Sequence, residues 1–333
     1  MGSRREGTVD ALDESIGQVI EALYRKGMLS NSVVVFTSDN GGMPIGSDSN
    51  TGANWPLRGT KGTLWEGGVR VPAIVWSLLL KPGPRIVIPG LAHAADWLPT
   101  LYSAGGGSVS DLSPTDGFDL WPALLSAKSN DHVDWPRQEL LLDVDQPSGL
   151  AAYRDGNFKL VVVSDPASNN SRHPFGDSSH QQHVPIPGNE PPFCSSEEAA
   201  TVYFNSRMKS SPTWRTLEKL GGPGQGFPVT PGWRGTAAVK CNSESIVSTY
   251  VGLNNGDYLF DLSRDPCELQ NLASQLPSVV SSIKDKLQVY RTVARQPSPH
   301  TIVENGLPEY NDCVWAPWQD QPQSAFQNCS CSS

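Results

Sequence analysis

The chain has no stretch approaching the run of about 18 apolar residues that spans a bilayer, which excludes a hydrophobic membrane helix on sequence grounds. Its longest apolar run, Ala73 to Leu80, is interrupted by Ser77 and preceded by Pro72. Net positive charge is also missing: the formal charge is -9, so nucleic acid and anionic membrane surfaces are poor partners, and a polyanionic ligand would need a local basic patch. Cysteine is absent from the first 193 residues, and the six that follow, Cys194, Cys241, Cys267, Cys313, Cys329 and Cys331, lack the spacing of a zinc site. Disulfides are the better reading of them, Cys329-Ser330-Cys331 included. The opening Met1-Gly2-Ser3-Arg4-Arg5 runs into a helical pattern without a signal-peptide core, which predicts that any export address lies upstream.

What is present is a foldable chain. Hydrophobic residues make up 38% of 333, with ten tryptophans, enough to build a substantial core and exclude disorder. The sequons Asn169-Asn170-Ser171 and Asn328-Cys329-Ser330 mark Asn169 and Asn328 as candidate glycosylation sites and, with the cysteines, favour an oxidising route.

Val9, Leu12, Ile16, Val19, Ile20 and Leu23 recur at helical spacing, and Gly27 stands where a helix end favours a left-handed residue. After a short turn, Val33-Val34-Val35-Phe36-Thr37 is a β-branched run of the kind buried on both faces of a parallel sheet. It ends in Ser38-Asp39-Asn40-Gly41-Gly42, polar residues at a strand's carboxyl edge, where open α/β sheets bind ligands. Pro72 to Leu80 reads as a second strand and Ala95 to Tyr102 as a helix start. Beyond about Pro136 the texture changes: Glu139 to Val144, Ala151 to Val163 with a hairpin turn at Gly156-Asn157, and Tyr258 to Leu262 read as a smaller antiparallel sheet. Leu276 to Val293 forms a helix with Val279, Ile283, Leu287 and Tyr290 on one side. Ser164 to Cys194 and Gly221 to Gly235 read as long surface loops.

Asp39 and Asn40 offer adjacent oxygen ligands suited to a hard cation such as calcium, and the two glycines let the backbone turn away. For the pair alone an ordinary Asp-Asn-Gly turn is the commoner case. The balance shifts with a second segment, Asn54-Trp55-Pro56-Leu57-Arg58-Gly59-Thr60-Lys61-Gly62-Thr63-Leu64-Trp65-Glu66-Gly67-Gly68-Val69-Arg70. Lys61 lies in a glycine-flanked loop from which a flexible ammonium reaches an anion, although a solvated lysine is the commoner case in any loop. Arg58, Glu66 and Arg70 read as structural, an Arg–Glu pair bracing the loop. His93, just before Asp96-Trp97, reads as a satisfied histidine at a helix entry rather than an acid-base group.

Together, Thr37 to Gly42 and Asn54 to Ala73 resemble the arylsulfatase B, I and J group of sulfatases. Asp96 to Leu101, Asp116 to Asp119, Tyr153 to Leu160, Leu259 to Pro266 and Cys313 to Trp318 agree in order and spacing. The resemblance implies an α/β, alkaline-phosphatase-like parallel-sheet sandwich, N-terminally truncated, over residues 1–137, with a smaller C-terminal antiparallel sheet and helix in 138–333. It further implies sulfuric-ester hydrolysis of a sulfated small molecule or glycosaminoglycan. In such a site Asp39 and Asn40 ligate calcium, and Lys61 binds the sulfate and stabilises the transition state. A lysosomal or secreted location goes with it. The family's nucleophile is a formylglycine made within Cys/Ser-x-Pro-x-Arg, and residues 1–333 contain no such motif. The chain by itself is therefore expected to be inactive, with a catalytically dead glycan- or protein-binding fragment as the competing reading.

Overall fold

The structure, a computed structural model, describes residues 4–43, 52, 54, 56–80, 87–127, 134–146, 149–163, 208–221, 237–241, 256–295, 306–308 and 313–315. It divides into two compact units, 1–292 and 293–333. In the second, Cys313 is disulfide-bonded and its N–H donates to Pro308 O at 2.8 Å. Asn169, Asn328, Cys194, Cys329, Cys331 and nearly all of the two long loops lie outside the described residues.

Helix α1 spans Arg4–Arg25. It stops where the glycine signal places the stop: Gly27 takes φ +69°, Met28 N–H donates to Leu23 O and Gly27 N–H to Tyr24 O. These are the paired bonds that satisfy a helix's last carbonyls when the residue beyond the cap is left-handed. Its apolar stripe is only partly covered. Ile20 is buried, whereas Val9 and Val19 are largely exposed. At Gly17 the helix meets Pro212 so closely that a Cβ would stand 2.5 Å from the proline Cβ. That proline opens the helix Pro212–Gly221.

Strand β1 (Val33–Thr37) pairs with β2 (Ala73–Ser77) in the register Val33↔Ser77 to Thr37↔Ala73. The pairing is antiparallel, which corrects the parallel arrangement read from the β-branched run. Its residues are half-buried to exposed, which likewise corrects the reading of burial on both faces. A run of valines encodes strand propensity and says nothing of direction. The described part of the connection between the two strands includes a glycine-rich loop and the four-residue helix α2 (Glu66–Val69).

After β2 come α3 (Trp97–Ala104) and α4 (Trp121–Ser126). Asp96, fully buried, ties this region together. Its carboxylate accepts from Arg137 Nε at 2.8 Å and Nη2 at 2.5 Å, from Phe118 N–H at 2.8 Å and from His93 N–H at 2.8 Å.

The α/β character and the C-terminal antiparallel sheet with its helix are as the sequence predicts. Strands β3 (Glu139–Asp145), β4 (Leu150–Asp155), β5 (Phe158–Val163) and β6 (Gly256–Asp261) form a four-stranded antiparallel meander in the order 3-4-5-6. The Gly156-Asn157 turn joins β4 to β5, with Asp155 opposite Phe158. Helix α5 (Pro212–Gly221) packs on α1, and α6 (Pro277–Val293) covers one face of the meander. There Val280, Ile283 and Leu287 meet Ala151, Tyr153, Leu160, Val162 and Leu259. The opposite face carries Leu150, Ala152, Val161, Val163 and Phe260, and what covers it is Leu64 and Trp65 from the glycine-rich loop. Burying each such side chain stabilises the contact by roughly 1.5–3 kcal/mol, so the loop is anchored to the sheet as firmly as a secondary-structure element. No helix among the described residues is long and apolar enough to cross a membrane.

Candidate functional site

The carboxyl end of β1 and the glycine-rich loop are stitched together through their backbones. Gly41 N–H donates to Gly68 O at 2.9 Å, and Lys61 N–H to Gly42 O at 3.2 Å. Asn54 holds both segments: its Oδ1 accepts from Gly42 N–H at 2.7 Å, while its Nδ2 donates to Gly42 O at 2.9 Å and Gly59 O at 3.0 Å. The approach is too close for any side chain. A Cβ on Gly41 would lie 1.8 Å from Gly67 O, and one on Gly67 would lie 2.5 Å from Arg58 O and Gly59 O. This is the physical reason for glycines here: two chain segments touch backbone to backbone, which only glycine permits.

Lys61 is thereby seated beside the turn that follows Asp39 and Asn40. Asp39 is exposed, its Oδ1 accepting from Asn40 N–H at 2.9 Å, and Asn40 is half-buried, its carbonyl accepting from Ser38 Oγ at 2.9 Å. Lys61 is exposed. The two side chains of the Asp-Asn pair carry hard oxygen donors of the kind calcium takes, but calcium needs six to eight. Among the described residues no three His, Cys, Asp or Glu side chains cluster to hold a metal. The donor chemistry present fits calcium in kind and supplies a fraction of its shell.

Beneath the loop lies a group that sequence reasoning missed. Lys159 on β5 is fully buried, with its Nζ 3.0 Å from Glu66 Oε1 and 2.7 Å from Glu268 Oε1. Glu268 Oε2 accepts from Glu66 N–H at 2.6 Å, and Glu268 O accepts from Arg58 Nη1 at 3.0 Å. The Arg58 guanidinium lies 3.6 Å from the Trp65 ring centroid, a cation–π contact. The Arg–Glu pair read from the sequence is therefore a minor part of the arrangement: Arg70 stands 3.8 Å from Glu66, and Arg58 engages Trp65 and Glu268 instead. The loop is braced from the sheet as well as from within. The one signal available in the sequence is the period-two pattern of β5. It puts Lys159 on the same face as Val161 and Val163, an apolar face where a lysine demands buried carboxylates.

Burial pushes Glu268 up to about 7, with the Glu66 carboxylate adding to it and the Lys159 charge pulling against it. Burial acts against ionisation at Glu66 too, but there the Lys159 charge and hydrogen bond, with Arg154 and Arg70, outweigh it and hold the carboxyl below its ordinary value. Lys159 keeps its proton above the ordinary lysine range: burial opposes the charge and the two carboxylates override it. Glu268 also sits at φ +57°, an uncommon conformation for a residue with a side chain, next to Cys267, which is bonded to Cys241.

His93 serves as a cap. Its Nδ1 accepts from Ala95 N–H at 3.2 Å, and burial, then the nearby Arg137 charge, hold its pKa below the ordinary imidazole value.

The family model described as Sulfatase matches residues 3–107. The chain is 29% identical over 319 residues to arylsulfatase J of Mus musculus, covering 95% of this chain and 44% of that protein. It is 37% identical over 152 residues to arylsulfatase A of Homo sapiens, covering 44% of this chain and 28% of that protein. A solved structure from work on glycosaminoglycan metabolism by Bacteroides thetaiotaomicron aligns over 84% of this chain and 43% of its own, at 18% identity and a TM-score of 0.45. The chain spans less than half the length of these relatives. The Sulfatase match falls within residues 3–107, and the likeness to arylsulfatase J runs along nearly all of the chain's length.

Proposed function

We propose that this chain supplies the calcium-facing and sulfate-facing half of a sulfuric-ester hydrolase acting on a sulfated sugar or glycosaminoglycan. Asp39 and Asn40 ligate the metal and Lys61 contacts the sulfate. The observation that carries the reading is the hydrogen bond from Lys61 N–H to Gly42 O, which seats the lysine's loop on the strand end bearing Asp39 and Asn40. An ammonium anchored there offsets negative charge on the ester oxygens as the S–O bond breaks, and its flexible stem lets it follow that charge. Bound calcium would neutralise sulfate charge and orient the nucleophile. The Asp39 carboxylate, the Asn40 amide oxygen and the Lys61 ammonium bind and orient; a formylglycine nucleophile would come from outside residues 1–333. On the same reading, residues 1–137 belong to the catalytic α/β region and 138–333 to an accessory one, the protein travels to the lysosome or outside the cell, and Asn169 and Asn328 carry glycans.

Calorimetric titration of the full chain tests the site. A sulfated monosaccharide should bind in the presence of calcium and lose at least tenfold in affinity in Lys61→Ala, equivalent to about 1.4 kcal/mol. Asp39→Ala should abolish the calcium-dependent sugar binding. Equal sulfate affinity in wild type and Lys61→Ala would refute the assignment. A chromogenic sulfate ester should not turn over on the chain alone.

A further inference from the structure

Lys159, Glu66 and Glu268 are buried charged groups that the proposed chemistry does not use, and they join the loop that bears Lys61 to the C-terminal sheet. We propose that Glu268 is a positioning residue for the Lys61 loop, gripping it through Glu66 N–H and Arg58, and that the grip weakens as pH rises because two carboxylates share one buried ammonium. The inference rests on the reading of Lys61 as the sulfate contact for its consequence, though not for its geometry.

The geometry is closed. Glu268 reaches across 202 residues to accept the Glu66 N–H, and its carbonyl accepts from Arg58 at the start of the same loop. The Cys241–Cys267 bond tethers the preceding residue, and both sulfurs lie near Pro56 O, at 3.2 and 3.4 Å, on the approach to the loop. Trp65 and Leu64 press into the sheet beside Lys159. Glu268 thus sits where the disulfide, the loop and the sheet converge, in a left-handed backbone conformation that the surrounding contacts must maintain.

The charge balance follows from the groups that face it: Lys159 from β5, Glu66 from α2 and the half-exposed Arg70 just beyond it, Arg154 from β4, Arg58 from the loop, and Asp265 on its own segment. With Glu268 protonated, Glu66 and Lys159 form a neutral pair. With Glu268 ionised, the buried group carries an excess negative charge that the arginines at its rim offset only in part. Glu268 is raised from 4.5 to about 7, so its contribution is fully present below 4.5 and is lost as pH rises through about 7. Glu66 is shifted the other way, so its contribution is present above 4.5 and is lost in stronger acid. The loop is held best under mildly acidic conditions.

Amide hydrogen exchange of the full chain, corrected for intrinsic rates and followed by mass spectrometry between pH 4.5 and 8, tests the grip without any sulfate or metal. In wild type, protection of 58–68 should fall by up to tenfold per pH unit toward pH 7 and then level off, while β4, β5 and α6 stay protected. In Glu268→Gln, which cannot ionise, the loop's protection should be independent of pH across that window. Should that variant fail to fold, the carboxyl-carbon NMR signal of Glu268 in wild type supplies the same readout, with a midpoint near 7 expected. A loop whose exchange in Glu268→Gln titrates as in wild type, a loss spread equally over sheet and helix, or a Glu268 midpoint near the ordinary glutamate value overturns the inference. Sulfate binding lost only in Lys61→Ala, with loop exchange unaffected by pH, would leave the sulfate reading standing and this one refuted; the reverse pattern would do the opposite.

Discussion

Two lysines serve one glycine-rich loop in opposite environments. Lys61 rides on the loop's surface, exposed to solvent, beside the turn after Asp39 and Asn40. Lys159 lies under the loop with no exposed surface, its charge divided between Glu66 and Glu268. An exposed ammonium costs nothing to keep charged and is available to a ligand; a buried one must be repaid by carboxylates at contact distance and is then unavailable to anything else. Solvent therefore separates a binding lysine from a framework lysine within the same motif-bearing region, and the family resemblance covers both without telling them apart.

Removing the buried cation should show the contrast at its largest. Lys159→Met leaves two carboxylates buried without their shared ammonium, and breaking such a group costs roughly 3–5 kcal/mol, read by urea unfolding of the full chain at pH 7.5. The deficit should shrink as the pH is lowered, because the stranded carboxyls can then take up protons. A loss below about 1 kcal/mol would place Lys159 with surface lysines and dissolve the comparison.

Asn54 sits between the extremes, half-buried and engaged in three hydrogen bonds that staple the strand end to the loop. Asn54→Ala should cost about 1–3 kcal/mol in the same assay, from the backbone groups it leaves unsatisfied. An unchanged unfolding midpoint would mean that the glycine contacts alone hold the two segments together. The smallest effect belongs to Lys61→Ala, which should leave stability within about 0.5 kcal/mol of wild type even as sulfate binding is lost. A large destabilisation would show that Lys61 is a framework residue after all, and the distinction between the two lysines would fail.

Elements whose cause is local were legible in the residues. Gly27 marks the end of α1, Gly156-Asn157 turns β4 into β5, and the apolar spacing of Val279, Ile283, Leu287 and Tyr290 lies toward the sheet in α6. The direction of β1 against β2 was not, since β-branched residues favour extended backbone in either orientation. Nor was the partner of Glu66. From sequence the neighbouring arginines are the obvious choice, yet the closest cation is Lys159, 93 residues away.

By itself the sequence determined the α/β alternation, a C-terminal antiparallel sheet and a helix after it, and the residues that carry the sulfatase likeness, because spacing, turn chemistry and motif are properties of neighbouring residues. Only the tertiary structure decided that the loop bearing Lys61 doubles as the lid of the C-terminal sheet and that a lysine and two glutamates lie locked beneath it. Burial is a property of the assembled chain: a side chain leaves water only when distant segments close over it, and the charge it carries then answers to whichever partners the fold has brought within reach.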